Sequence, residues 1–399
     1  MGALGILAFA LAIAASIALH EAGHMFTARA FGMRVRRYFI GFGPTVWSTT
    51  KGHTEYGLAA LPFGGFCDIA GMTAMDPLTP EEEPHAMVNK PAWQRIAVLA
   101  GGIVMNLLIG VVITYFVAVL SGIPNPDADF TPRVGKTVCV ADQVDTDTLG
   151  ECSGAGPAGE AGVQVGDTLV ALDGQEMEQF GQLRDAVAKQ PGETVRLEVL
   201  RGGETVTLDV PVAEVERIDP ATGERVTQGA VGIVSADAVK QYGPAEAVPA
   251  TFRFTGQMLR ATVDGIASFP AKIPGVVASI FGAERDIEGP VSVIGASRTG
   301  GELVEQNMWS AFWMMLASLN FFLALFNLVP LPPLDGGHIA VVLYEKIRDA
   351  LRRLRGLGPG APANYEKLMP LTYAMAALLL GVGVLVMAAD VVNPVRIFG

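Results

Sequence analysis

Four stretches of this chain are too long and too apolar to belong to a protein that lives wholly in water. A helical bilayer crossing takes about 20 predominantly apolar residues. Ala3 to Leu19, Ile96 to Leu120, Met308 to Val329 and Leu371 to Ala389 all approach or exceed that length. Composition agrees: 50% of the 399 residues are hydrophobic and 17% are charged, against about 25% charged in a soluble domain. The first stretch has no basic residue before Arg29. A secretory signal begins with a basic segment, so a retained helix is expected instead. The 40 acidic residues outnumber the 28 basic ones, which argues against a nucleic-acid partner, since that needs a basic surface.

Orientation follows from the short loops, because Lys and Arg accumulate on the cytoplasmic side. Arg29, Arg34, Arg36, Arg37 and Lys51 follow the first span, and Lys90 and Arg95 precede the second. Lys346, Arg348, Arg352, Arg353, Arg355 and Lys367 separate the third span from the fourth. Both loops are therefore expected inside. The N-terminus, the C-terminus and the Ser121–Asn307 loop fall outside, with the protein in the cytoplasmic membrane. That loop carries 14 basic and 28 acidic residues, a net −14; long loops cross largely regardless of charge.

Within the loop, an apolar strand at Leu169–Leu172 meets an Asp173-Gly174 turn, and a helical stretch follows from Phe180 to Ala188. Strands Thr194–Leu200 and Glu204–Val210 alternate in polarity around Arg201-Gly202-Gly203, which reads as a hairpin. The order resembles a PDZ domain covering roughly Pro126 to Ala213, a module that binds extended peptides at a sheet edge. Val248 to Phe281 is half apolar but interrupted by Arg253, Arg260, Asp264, Pro270, Lys272 and Pro274. It reads as amphipathic helices at the outer membrane face. The chain thus divides into an N-terminal membrane core (1–120), a PDZ domain (121–215), extracytoplasmic interfacial helices (216–307) and a C-terminal membrane core (308–399). Alternating residues from Met33 to Ile69 predict short strands near the cytoplasmic face. The fold class expected is a multi-pass α-helical membrane protein with an inserted α/β PDZ domain and a small membrane-associated β region.

The chemistry is concentrated in His20-Glu21-Ala22-Gly23-His24. On a helix the two histidines share a face and can hold one Zn²⁺, with Glu21 beside them as general base. Each ionisable group at bilayer depth costs at least ~2.5 kcal/mol. Three in five positions call for compensation, which a metal supplies. A third ligand is still needed. Asp335 is the candidate, in the Pro- and Gly-rich segment from Asn327 to His338; its alternative role is an N-cap of the helix Ile339–Leu354. His338 reads as a neighbour of the site, and His53 and His85 as solvated loop residues. Asn106 reads as packing, and Cys67 has no assigned role.

These motifs in this order resemble the site-2 protease family of intramembrane zinc metalloproteases. The carriers are H-E-x-x-H in the first span, Asn327-x-x-Pro330-x-Pro332-Pro333-Leu334-Asp335-Gly336-Gly337, and a PDZ domain between the second and third spans. Leu61-Pro62-Phe63-Gly64-Gly65-Phe66 and Gly289-Pro290-Val291-Ser292-Val293 are also similar to family segments. The single PDZ domain and the Cys139/Cys152 pair resemble the actinobacterial branch most; Pro333 is one proline more than the pattern. The resemblance implies Zn²⁺ on His20, His24 and Asp335, Glu21 as catalytic base, and Asn327 holding substrate backbone or the developing oxyanion. It also implies single-span membrane substrates such as anti-sigma factors, cut after an earlier extracytoplasmic cleavage, with a peptide or substrate tail at the PDZ domain. Two other functions use the same residues. A peptide-binding scaffold would need no Glu21, and a metal transporter usually shows repeated halves, which this sequence lacks. Finally, Cys139 and Cys152 flank the polar stretch Val140–Glu151 and lie on the expected outer side, where disulfides persist. A bond between them is expected, two free thiols being the alternative, with Cys67 reduced.

Overall fold

The computed structural model describes residues 2–73, 75–125, 132–145, 148–150, 152–218, 225–236, 239–283, 285–286, 289–358 and 360–395, without the side chains of Pro62 and Phe63. Helix α1 (Gly2–Ala30) is apolar around its whole circumference up to His20, so it presents Leu4 and Leu11, 73% and 60% exposed, where lipid would lie. Where the sequence predicts several short strands, two long ones form, β1 (Val35–Lys51) and β2 (Thr54–Ile69). Tyr38 pairs with Cys67 on one side and Tyr56 on the other, and Phe39 with Phe66 and Gly57. The hairpin is therefore bent back on itself, and a 17-residue strand stays within a small region. Helix α2 (Ala92–Leu99) precedes the second apolar helix, α3 (Gly101–Leu120).

Two compact units share the described residues: those in 2–116 with 251–395, and those in 117–250. The second is rich in strands. It comprises β3 (Ile123–Pro124), β4 (Val134–Thr137), β5 (Gln143–Asp145), β6 (Thr148–Leu149), α4 (Gly156–Glu160), β7 (Thr168–Leu172), β8 (Gln175–Glu176) and α5 (Phe180–Val187). After these come β9 (Thr194–Arg201), β10 (Glu204–Pro211), β11 (Ala213–Ile218), β12 (Arg225–Ala230), β13 (Ile233–Ser235) and β14 (Val239–Lys240). The central sheet has the order β10-β9-β7-β8. Its inward residues Leu169, Leu172, Val195, Leu197, Val199 and Val210 pack with Leu183 and Val187 of α5, and those of β9 alternate along the strand. At one end of the sheet Arg201 forks onto buried Asp167, with bonds of 2.8 and 2.7 Å.

One boundary differs from the sequence reading. Strands continue beyond residue 215, where helices alone were predicted, because β13 pairs with β4 and brings residues 233–235 back into this unit. Pairing partners that distant in sequence leave no local signal. The predicted start at Pro126 lies outside the described residues. Cys139 and Cys152 are disulfide-bonded, with Cα atoms 5.8 Å apart. The enclosed loop docks on β11 and β12: Asp142 accepts from the Glu216 amide at 2.9 Å, and Arg217 donates to the Ala141 carbonyl.

Helix α6 (Pro244–Ile280) is one continuous helix, not several. Its prolines each remove one backbone bond, and the turns on either side continue. Then come α7 (Val293–Glu305), α8 (Trp309–Leu328), α9 (Asp335–Leu354) and α10 (Tyr365–Val392). Among the described residues four helices, α1, α3, α8 and α10, are long and apolar enough to cross a membrane, and α6 is not one of them. Inside the first unit, Asn320 of α8 donates to Ser16 of α1 at 3.0 Å, tying two of these helices one turn from His20. Arg95 of α2 and Glu345 of α9 form a buried ion pair at 2.8 Å.

Candidate active site

Residues four apart on a helix lie one above the other, and on α1 both imidazoles turn into the protein: His20 is 8% and His24 7% exposed. Their Nε2 atoms are 3.3 Å apart. Asp335 Oδ2 is 3.3 Å from each of them. Ligands held tetrahedrally at about 2.0–2.1 Å from zinc lie about 3.3 Å from one another, so this triangle has the edges a zinc ion requires. His24 Nδ1 donates to the Val98 carbonyl at 2.8 Å, which fixes the ring and leaves Nε2 its lone pair for a metal. Asp335 Oδ2 is buried and accepts no hydrogen bond among the described residues. A buried carboxylate oxygen so placed calls for a cation.

Asp335 comes from the first turn of α9. Leu334 occupies the N-cap, and no side chain caps it, so Asp335 is not used as a cap. The two glycines that follow explain how α9 reaches the site. They belong to α9 and not to the break between helices. A Cβ on Gly336 would stand 2.3 Å from the Leu328 carbonyl oxygen, and one on Gly337 2.7 Å from the Leu331 carbonyl carbon. Only glycine lets the start of α9 fold back this closely on the end of α8.

Other positions matter that sequence reasoning passed over. A Cβ on Gly23 would lie 2.3 Å from the Gly101 carbonyl oxygen, so α1 passes the start of α3 backbone to backbone. A Cβ on Gly102 would meet His24 Nε2 at 2.4 Å and His20 Nε2 at 2.7 Å. The floor of the site is therefore a missing side chain. The adjacent glycines opening the second apolar stretch were the available signal, since small residues in membrane helices mark close helix contacts.

Glu21, half-buried, points toward the β-hairpin: a Cβ on Gly65 would lie 3.2 Å from Glu21 Cγ. The hairpin is fixed to α1 by Tyr38, whose hydroxyl donates to the Ala18 carbonyl at 2.6 Å. Burial, followed by the charge of Glu21, pushes the Cys67 thiol up to about 12, so it is an unreactive neighbour. Asn327 donates to the Leu323 carbonyl of its own helix at 3.0 Å. His338 lies outside the ligand triangle and stacks on Tyr365, with ring centres 6.2 Å apart. Asn106, one turn beyond Gly102 on α3, is 1% exposed, and its amide has no partner among the described residues.

The sequence pattern of peptidase family M50 matches residues 8–357. The chain belongs to peptidase family M50, the site-2 proteases. The zinc metalloprotease Rip1 of Mycolicibacterium smegmatis is 49% identical over 405 aligned residues, covering 100% of both chains. Rip1 of Mycobacterium tuberculosis is 44% identical over 99% of this chain and 98% of its own. The regulator of sigma E protease of Salmonella typhi is 26% identical over 94% of this chain and 95% of its own. This M50 member is a multi-pass membrane zinc metalloprotease, and its His-His-Asp cluster could bind one metal ion.

Proposed function

We propose that this M50 protease cuts peptide bonds inside transmembrane segments of single-span membrane proteins, with His20, His24 and Asp335 as zinc ligands and Glu21 as base. The observation that carries this reading is the 3.3 Å ligand triangle built on α1, a helix apolar enough to cross a membrane. When bound, zinc supplies Lewis acidity to a water and to the scissile carbonyl. Glu21 takes the proton of the attacking water on its carboxylate and passes it to the leaving amine. Asn327 holds the substrate backbone or the developing oxyanion through its side-chain amide. A helical substrate hides its peptide bonds and must unwind first. The β-hairpin beside Glu21 offers an edge on which the unwound chain can be held as an added strand.

In this reading residues 1–120 and 308–399 form the membrane core of a protein in the cytoplasmic membrane. The termini and the strand-rich unit lie outside, as the Lys/Arg distribution suggests, and α6 rests at the outer face. The sheet β10-β9-β7-β8 with α5 is read as a PDZ domain. A groove of about 590 Å³ beside β7 and the start of α5, lined by Leu169, Val170 and Met177, suits an extended peptide or a trimmed substrate tail. The domain then admits substrates already shortened outside. The name of the Salmonella relative concerns sigma E regulation, which favours anti-sigma-type regulators as substrates.

The test is a cleavage assay on a purified single-span substrate, with the cut site mapped by mass spectrometry. The wild type should cut within the apolar segment, and Glu21→Gln should slow cleavage by roughly 10²–10⁴-fold with zinc content unchanged. Cuts confined to the flanking loops, or full activity in Glu21→Gln, would reject the reading.

A further inference from the structure

A second concavity lies where α1 ends. It has a volume of about 570 Å³ and is bounded by the last turn of α1, the link into β1, the β1–β2 turn and the short 3-10 turn at residues 83–85. Its lining contains Arg29, Arg34, Lys51, His53 and His85 and no carboxylate. Both histidines are exposed, as the sequence suggests, and the fold sets them around one pocket with three cationic side chains.

Three nearby acids are committed elsewhere, and Glu55, Glu81 and Glu83 are not part of the lining. Arg36 takes Glu82 and Asp76 at 2.7 and 2.9 Å, and Arg37 takes Asp68 at 3.0 Å. The side chains of Arg34, Lys51 and His53 have no hydrogen bond or ion pair among the described residues. Arg29 is oriented by Thr54 and Tyr56, to both of which it donates. His85 donates from Nδ1 to the Gly32 carbonyl at 2.9 Å. Cations gathered in a pocket without counter-charge repel one another, and an anion relieves that repulsion.

The level of the pocket says which anion. Arg29 lies in the last turn of an apolar helix, and Phe26, one turn earlier, is 56% exposed. Trp93, 61% exposed, packs edge-on against Phe31 with ring centres 5.1 Å apart. Exposed aromatics beside the first arginine after an apolar span mark the membrane–water interface. At that depth the abundant anion is a lipid phosphate, and basic pockets between membrane elements bind such headgroups.

We propose that this pocket is a binding site for a phosphate group, supplied by the headgroup of an anionic phospholipid. Its Arg29, Arg34 and Lys51 neutralise the charge, the His53 imidazole donates to the oxygens, and His85, held by the Gly32 carbonyl, forms the wall of the pocket.

The experiment uses the full chain in nanodiscs containing equal amounts of phosphatidylglycerol and phosphatidylcholine. Lipid retained after detergent extraction is counted by native mass spectrometry. Wild type should retain phosphatidylglycerol preferentially. The Arg34→Gln/Lys51→Gln double variant should lose that preference on the order of tenfold or more. Arg353→Gln, an exposed change outside the pocket, should keep it, and zinc content should be equal in all three proteins. In a second arm inorganic phosphate is titrated by calorimetry into protein in phosphatidylcholine discs. Binding there that the double variant abolishes, with no lipid preference, would keep the phosphate site but make a soluble phosphate its source, overturning the lipid assignment. Equal retention of both lipids by wild type and double variant, with no phosphate binding, would overturn the site altogether.

Discussion

Two of the buried charged clusters between the helices of the first unit are built on opposite plans. Arg285 and Asp390 meet at 2.8 Å with their side chains 5% and 0% exposed. Asp390 also accepts from the Ser292 amide at 2.6 Å, and Arg285 donates to the Pro290 carbonyl and to Ser279. Both carboxylate oxygens are occupied; on the guanidinium only Nε lacks a partner. This pair pins the end of α10 to the chain between α6 and α7. The second cluster, His20, His24 and Asp335, turns three electron-pair donors toward one point and supplies no cation of its own. A self-neutralised pair is complete as architecture. Donors converging on one point describe a ligand.

Substitutions can break this comparison. The largest effect should come from His24→Ala or Asp335→Ala, which should remove bound zinc and all cleavage while the folded protein remains; metal analysis of the purified variants decides it. Full zinc content in Asp335→Ala would show that the third ligand lies elsewhere. Next, Arg285→Leu leaves Asp390 buried and unpaired, so thermal unfolding in detergent should show a loss of about 3–5 kcal/mol. The double change Arg285→Met/Asp390→Leu should restore most of this, and both proteins should keep their zinc. Zinc loss on disrupting this pair would erase the distinction between the clusters.

A smaller effect should follow Gly102→Ala, whose new methyl would press on both Nε2 atoms. Zinc affinity, measured by competition with a chelator, should fall roughly 10- to 100-fold, as for other changes that displace ligands. An unchanged affinity would mean that α3 can move away without disturbing the site. The smallest effect concerns Asp167, a self-neutralised pair in the other unit. The Arg201 guanidinium holds the Asp167 carboxyl below its usual range. Its contribution is therefore complete above the unfolded value of about 3.9 and is lost as pH falls through the lower folded value. In acid titration of the full chain followed by circular dichroism, Asp167→Asn should remove this part of the acid sensitivity. The difference from wild type should narrow as pH drops, and one that widened would reverse the assignment.

The sequence by itself determined what is local. The four apolar stretches reappear in α1, α3, α8 and α10, because lipid-compatible helices are set by their own length and hydropathy. Even so, α1 runs on past Leu19 to Ala30, and residues 96–99 fall in α2. His20, Glu21 and His24 were legible together because an i, i+4 spacing needs only one helix to become a face. The hairpin β9–β10 was equally plain from its alternation and its glycine turn. What the tertiary structure decided was everything that depends on two distant segments meeting. Whether Asp335 comes near the histidines depends on α9 folding back on α8 over Gly336 and Gly337, which sets its carboxylate 3.3 Å from both imidazoles. Gly23, Gly101 and Gly102 looked like ordinary small residues of apolar helices, and only the crossing of α1 and α3 turns the absence of their side chains into space for two imidazoles. The bent hairpin, the return of β13 to β4 and the gathering of Arg34, Lys51, His53 and His85 around one pocket left no period in the sequence. Periodicity records the face a residue shows to its surroundings, and which distant residue comes to occupy that surrounding is set by packing alone.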